Sequence, residues 1–530
     1  MYNKYVYYYN IMLNTKLTKQ GYILSKTDLT NDQIISIEND LTVEPKTDQR
    51  FKKLSTEDDS FNIYLESVSG DKFVVPRYYG IEKFGMPRVV KFNLLEVDKI
   101  DISFNGSLRD YQLTIMETIL KEYSTDITNP STNLKSYGGS IISIPPGKGK
   151  TVLAINLITQ LKVKALVIVH KTFLLNQWKE RIQQYTNADV GLIRQDKIDI
   201  SNKQIVVAML QSISMKDYDK ELFQAFPLVI YDECHHLGAK MFSKSLIKVQ
   251  APFYLGLSAT PERKDEMDKV FKYFLGPISY RGKFEPNNNV IVKLYSYNIV
   301  NIKFKSLFNF RMKTYLAPKM ITNLCKINER NNLIVKLITD IITCEPNRKI
   351  LVLTGRCNSA NNESSVNHVK EISDRLKLNP DLVDSWGYYI GGMKKIQLEI
   401  SSEKQIIIGT YDMAQEGLDI SALDTLILAS PLKGDITQTC GRILRGGNIY
   451  QPLIIDIVDQ IKPFSEQAKY RYGYYKSNNY NCSFYEIADG YQQLDDPQTI
   501  KQLDNEFLQP IIKYKKIITP TTNDEFNDDE

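Results

Sequence analysis

Ile144-Pro145-Pro146-Gly147-Lys148-Gly149-Lys150-Thr151 is the stretch whose reading decides the fold. The apolar run Ile141-Ile142-Ser143-Ile144 leading into it reads as a buried strand. Residues 152–158 behind it place apolar side chains at helical spacing. Such a strand, turn and helix gather backbone N–H groups at a helix N-terminus, where a polyphosphate is favourably held. Lys150 is placed to reach the outer phosphates and the Thr151 hydroxyl to ligate magnesium. The full phosphate-loop pattern has Gly where Ile144 stands, so the match departs at that position. A glycine-rich turn by itself is often only a turn. The Gly-Lys-Thr ending between strand and helix is what points to nucleotide binding.

Downstream, strand and helix alternate. Residues 165–169 and 204–208 are apolar runs, ending at His170-Lys171-Thr172 and Gln211-Ser212. Parallel sheets of this kind place ligands beyond the carboxyl ends of their strands. Leu228-Val229-Ile230-Tyr231 then delivers Asp232-Glu233-Cys234-His235-His236, the complement a phosphate loop needs. Asp232 can hold the magnesium that Thr151 also touches, and Glu233 can orient the attacking water. Adjacent histidines point different ways, and no Cys-x-x-Cys or zincin spacing accompanies them, so zinc is not expected. Upstream, Leu108-Arg109-Asp110-Tyr111-Gln112 heads an amphipathic helix, and Gln112 is placed to pair with an adenine edge.

A second α/β run follows, with a helix at 333–342 and strands at 349–353, 405–410, 425–429 and 453–459. It lacks a phosphate loop. Gln438-Thr439-Cys440-Gly441-Arg442-Ile443-Leu444-Arg445 reads as a helix whose two arginines share a face, suited to act as arginine fingers on the nucleotide of the first lobe. Expected boundaries are an N-terminal accessory domain at 1–95, a first lobe at 96–282, linker and packing elements at 283–330, a second lobe at 331–476, and an extension with an acidic tail at 477–530. Within the accessory domain, residues 30–34 read as a capped helix start, and 76–80 and 84–88 as turns. Arg77, Tyr78, Tyr79, Lys83 and Arg88 suit either a solvated surface or stacking on bases. The segment 469–476, rich in Tyr and Lys, suits either single-strand stacking or an ordinary packed helix.

The 530 residues carry a formal net charge of +5, which permits a polyanion partner without demanding one. Six scattered cysteines argue against a disulfide framework and for a reducing compartment. The tyrosine-rich start lacks the apolar core of a signal peptide, and no run is long enough to span a bilayer, so an intracellular protein with no membrane partner is expected.

Pro-Pro-Gly-Lys-Gly-Lys-Thr, Asp-Glu-Cys-His, Ser258-Ala259-Thr260, Gly409-Thr410 with Glu416-Gly417-Leu418-Asp419, and Gln438-x-x-Gly441-Arg442-x-x-Arg445 occur in the order of superfamily 2 helicases, which the chain resembles over 108–445. Within them it is similar to the XPB-type group, which includes transcript-release helicases of large DNA viruses and phage branch-migration helicases. Composition leans towards a large DNA virus, and the host-cell cytoplasm or the virion is then the expected location. Where XPB proteins carry Arg-Glu-Asp, this chain has Arg263-Lys264-Asp265.

The resemblance implies an α/β fold of two tandem RecA-like lobes with parallel sheets, a small N-terminal α+β accessory domain, and ATP with Mg2+ as cofactors. It implies that Arg109, Gln112, Pro146, Gly147, Lys148, Gly149, Lys150, Thr151, Gly417 and Asp419 bind nucleotide, and that Asp232, Glu233, Arg442 and Arg445 serve hydrolysis. His235, Ser258, Thr260 and Gln438 would couple ATP state to strand binding. His170, Lys171, Gln211, Thr354, Arg356 and Thr410 would contact a DNA or RNA backbone. The function it implies is a helicase or translocase in viral transcription, with transcription machinery as a partner. A branch-migration role and an ATP-gated clamp without productive unwinding stand as alternatives.

Overall fold

Runs such as Ala165–Val169, Ile205–Met209 and Leu228–Asp232 are apolar at nearly every position, which suits strands covered on both faces. The computed structural model describes residues 14–46, 59–92, 97–123, 138–145, 147–263, 265–282, 289–297, 304–357, 367–416, 420, 422–434, 436–444 and 449–487. The chain divides into two compact units, Met1–Lys283 and Phe284–Glu530.

In the first unit an eight-stranded sheet runs in the order Lys197–Asp199, Val190–Arg194, Ile205–Met209, Ala165–Val169, Leu228–Asp232, Phe253–Ser258, Gly139–Ser143, Ile278–Arg281. Every pair is parallel except the outermost, Lys197–Asp199 on Val190–Arg194. Alternate residues feed opposite faces, so Leu166 and Ile168 enter one core and Val167 and Val169 the other. The strand order leaves the carboxyl ends of five central strands side by side, with the phosphate loop at one of them.

The N-terminal region folds as a five-stranded sheet beside the helix Asn31–Leu41. Thr30 and Gln33 close a capping box at that helix start, the expected signal. Residues 76–80, expected as a turn, instead open the helix Arg77–Phe84. Pro76 is its N-cap, where the missing N–H costs nothing. Gly80 is needed there because a Cβ would overlap the Tyr22 ring.

This helix also decides between the two readings of its basic and tyrosine residues. Arg77 is buried and donates to the carbonyls of Pro252 at 2.6 Å and Ala251 at 3.0 Å. Tyr78 donates to Gly139 O at 2.9 Å, and both Tyr79 and Lys83 bind Asp40. Arg77 and Tyr78 fasten the accessory region to the parallel sheet, Tyr79 and Lys83 tie its two helices together, and buried apolar residues of both sheets form one continuous core. Arg77→Met keeps most of the packing but orphans two carbonyls, so a loss of about 1–3 kcal/mol is expected. Thermal unfolding together with limited proteolysis of the N-terminal region would register it.

The second unit holds a seven-stranded sheet in the order Trp386–Tyr389, Ile406–Thr410, Ile350–Thr354, Thr425–Leu428, Leu453–Asp459, Ile291–Tyr297, Asn481–Ile487, all parallel. Ile291–Tyr297, expected within a linker, is therefore an interior strand. Asn481–Ile487, expected within an extension, is an edge strand. The Tyr- and Lys-rich segment lies in the helix Phe464–Ser477, and its Arg471 and Tyr475 are buried against Asp456. Packing, not base stacking, occupies those two side chains. The acidic tail lies outside the described residues.

Candidate active site

The phosphate loop follows from local chemistry. Gly147 and Gly149 both take φ of +78°, a conformation L side chains rarely adopt, and the helix Lys150–Leu161 begins immediately after. A Cβ at Gly149 would also collide with the Gln112 amide. Gln112 is buried, donates from Nε2 to Lys148 O at 3.2 Å and accepts from the Arg109 N–H at 2.9 Å. Tyr111 donates to the same Lys148 carbonyl at 3.1 Å. Here the Gln112 amide therefore clamps the loop, and both its ends are engaged by backbone. Pro146 lies outside the described residues.

Asp232 ends its strand, and Glu233 takes a left-handed φ of 48°, a strained turn for a residue with a Cβ. That turn brings Glu233 Oε1 to 3.3 Å from Lys150 Nζ. Asp232 accepts from the Trp178 indole N–H at 2.8 Å and from the Glu233 N–H at 3.0 Å. Burial, and then the neighbouring Glu233 charge, push the Asp232 carboxyl up. Burial opposes ionisation of Glu233 as well, but Lys150 and His235 outweigh it and hold this carboxyl well below the usual range. Trp178 was missed as a site residue. It shares a buried face with Leu175 and Ile182, spacing that marks a core position and so concealed its second role.

From Glu233 the contacts continue along the sheet edge. His235 Nδ1 lies 3.4 Å from Glu233 Oε2 and 3.0 Å from Ser258 Oγ, which in turn accepts from the Thr260 N–H at 3.1 Å. The ends of the Arg263-Lys264-Asp265 motif fold back here: Arg263 donates to His235 O at 2.7 Å and pairs with Asp265. His170, whose carbonyl accepts from the Gln211 amide, packs against His236 with ring centroids 4.0 Å apart and planes tilted by 39°. Burial holds the His170 imidazole down to about 4 and that of His236 to about 3, so both are neutral. Lys171 lies at the start of the helix that follows.

In the second unit Thr354 and Thr410 are register partners at the carboxyl ends of adjacent strands. Thr354 differs from expectation, because its hydroxyl is fully buried and cannot reach a strand as it stands. It lies 2.7 Å from His368 Nδ1, while His368 Nε2 lies 3.0 Å from Asn331 Oδ1. Since Asn331 donates its own amide to Cys325 O, the network assigns the proton to Nε2, and Thr354 donates to Nδ1. The Arg356 guanidinium is held by Thr322 at 3.0 Å and Pro318 O at 2.6 Å. Gln438 sits on the helix Thr437–Cys440, which stops at Gly441. Arg442 therefore lies beyond the helix on which it was expected. Arg445, Gly417 and Asp419 lie outside the described residues.

His368 sets a pH dependence. In the unfolded chain an imidazole takes a proton near pH 6.5. Here burial, reinforced by Arg330 and Arg375, holds it down to about 3. Between those values the unfolded chain binds the proton and the folded chain does not, so stability falls on acidification, by about 2 kcal/mol at pH 5. Melting of the wild type and of His368→Gln between pH 7.5 and 5 should show a shallower loss in the variant. Equal slopes would remove His368 as a cause.

A phosphate loop facing an Asp-Glu pair across a parallel sheet, followed by a second parallel α/β unit, defines a nucleotide-hydrolysing protein of the two-lobed kind. A family model described as Type III restriction enzyme, res subunit, matches residues 105–263. A protein of Acanthamoeba polyphaga mimivirus, provisionally named as an ATP-dependent RNA helicase, is 35% identical over 502 residues, spanning 93% of this chain and 91% of that one. The DNA 3'-5' translocase XPB2 of Sulfurisphaera tokodaii is 30% identical over 242 residues, 45% of this chain and 50% of that protein. The crystal structure of T4 UvsW aligns with 87% of this chain and 96% of its own at 16% identity, with a TM-score of 0.32. The chain belongs to the superfamily 2 helicases, is built of two α/β units with mainly parallel sheets, and is an ATP hydrolase. Among the described residues no helix is long and apolar enough to cross a membrane.

Proposed function

We propose that the chain is a strand-stimulated motor acting on DNA in viral transcription, in transcript release or elongation. One observation carries this reading. In the first unit the phosphate loop, Asp232 and Glu233, Ser258, and the His170–Gln211 pair occupy the carboxyl ends of five neighbouring strands. A nucleic-acid backbone along that edge would lie beside the ATP chemistry, held by phosphate contacts that do not read sequence. The relatives' names pull in two directions, RNA helicase for the viral protein and DNA translocase for the archaeal one.

In this reading Lys150 binds the outer phosphates, Glu233 takes the proton of the attacking water, and Arg442 and Arg445 steady the charge developing on the transferred phosphate. Thr151 and Asp232 would hold magnesium, whose charge offsets that of the phosphates. Two adjacent, partly buried carboxylates, with Asp232 pushed up by desolvation and then by the Glu233 charge, fit a divalent cation. Gly417 and Asp419 would complete nucleotide binding, Gln438 would join the coupling of ATP state to strand binding, and transcription machinery is the proposed protein partner.

The test is ATP turnover with single-stranded DNA, duplex DNA, RNA and a forked duplex. Stimulation of several-fold by at least one of them is expected, and none by any would end the motor reading. Release of RNA from a stalled polymerase supports the transcription role, whereas a preference for branched DNA without such release transfers the chain to recombination or repair.

A further inference from the structure

A short hairpin near the start of the second unit is not accounted for by the ATP chemistry. Phe308–Asn309 pairs antiparallel with Thr314–Tyr315, and the turn between them presents Phe310, Arg311, Met312 and Lys313. Phe310 is 84% exposed, an unusual position for a phenyl ring, and Met312 is exposed beside it. The hairpin is nevertheless built. Met312 N–H donates to Asn309 Oδ1 at 3.0 Å, Leu316 N–H to Leu307 O at 2.8 Å, and Ser306 Oγ to Lys462 O at 3.2 Å. Phe308 supports the tip from below, edge-on to both Phe310 and Tyr315.

Its charge is one-sided. No Asp or Glu occurs between Glu285 and Glu329, while Lys305, Arg311, Lys313 and Lys319 are all exposed. Lysine is depleted in the cores of protein–protein interfaces, whereas cations around an exposed aromatic are the arrangement that takes single-stranded nucleic acid. The position agrees with this. The helix Ala317–Leu324 follows the hairpin directly, and its Pro318 and Thr322 hold the Arg356 guanidinium, a candidate backbone contact.

We propose that this hairpin is a base-stacking point, with Phe310 against the face of an unpaired base and Arg311 and Lys313 on the flanking phosphates. The proposal rests on the strand-binding reading of the previous subsection, and it names the residues that would meet the strand at this edge of the second unit.

The experiment measures affinity of the full chain for a fluorescently labelled forked duplex with a single-stranded arm. Phe310→Ala is expected to bind roughly 5- to 150-fold more weakly, the range for losing one base stack. Phe310→Trp, which restores a stacking face, should recover most of that loss. Arg311→Ala with Lys313→Ala should lower the slope of log affinity against log salt by about 1.4, or 0.7 per lost phosphate contact on a single strand. Photo-crosslinking from p-benzoylphenylalanine at position 310 should label the nucleic acid. Wild-type binding that Phe310→Ala leaves within twofold, or crosslinks that reach only a second copy of the chain, would overturn the hairpin proposal alone. A wild type that binds no strand and shows no stimulated turnover counts against the motor reading instead.

Discussion

Glu233→Gln should lower ATP turnover by about 10²–10⁴-fold, the usual contribution of a positioned general base, while leaving ATP affinity unchanged or tighter. The two halves of this expectation have separate causes. Gln keeps the size of Glu and fits the same left-handed turn, so the Asp232–Glu233 corner retains its shape. It cannot accept a proton from water, so hydrolysis loses its base. It also releases Lys150, whose ammonium lies 3.3 Å from the carboxylate it would otherwise share with phosphate. Asp232 keeps the burial that pushes its carboxyl up but loses the smaller upward push of the neighbouring charge. Turnover in a coupled assay and equilibrium binding of a fluorescent ATP analogue would measure the two effects separately. Turnover within twofold of wild type would reject Glu233 as the base, and a parallel collapse of affinity would mean the corner had unfolded rather than lost its proton acceptor.

The parts of this site legible in the sequence are those whose chemistry is local. Gly147 and Gly149 need their φ values from the immediate chain, Lys150 and Thr151 follow within two residues, and Asp232 and Glu233 stand at the end of an apolar run. Each fits a window of a dozen residues. What escaped depends on partners far along the chain. The Gln112 amide binds Lys148 O, 36 residues away, and the Trp178 indole binds Asp232 across 54 residues. The strand Ile291–Tyr297 read as part of a linker because its two neighbours, Leu453–Asp459 and Asn481–Ile487, come more than 150 residues later. Gln438 and Arg442 do not share a helix, because the short helix Thr437–Cys440 ends before Arg442, although Gly441 keeps a right-handed backbone at φ −58°. The packing of the 469–476 segment has a sequence signal too. Asp456 in the middle of an apolar strand requires a buried cation, and Arg471 supplies it.

Asp459→Ala should cost the second unit about 3–5 kcal/mol and lower its melting temperature by on the order of 10 °C. Asp459 and Arg330 are both fully buried, and the guanidinium meets both carboxylate oxygens, at 2.8 and 3.0 Å. Its remaining nitrogen donates to Ala429 O at 2.6 Å. The helix Asn328–Cys344 is thereby bolted to the ends of two parallel strands. Ser430, next to Ala429, accepts from the Gly355 N–H at 2.9 Å and so positions the Thr354–Arg356 turn. Removing only the carboxylate leaves a buried cation with a single carbonyl, and that unpaired charge is the main penalty. The pair itself contributes little net stability, because taking both charges out of water offsets most of their attraction. The double variant Asp459→Leu with Arg330→Met should therefore recover most of the loss, short of the hydrogen bond to Ala429. Calorimetry of the two variants distinguishes these contributions. A double variant as unstable as Asp459→Ala would mean that the ion pair's geometry, rather than the cost of an unpaired charge, holds the helix to the sheet.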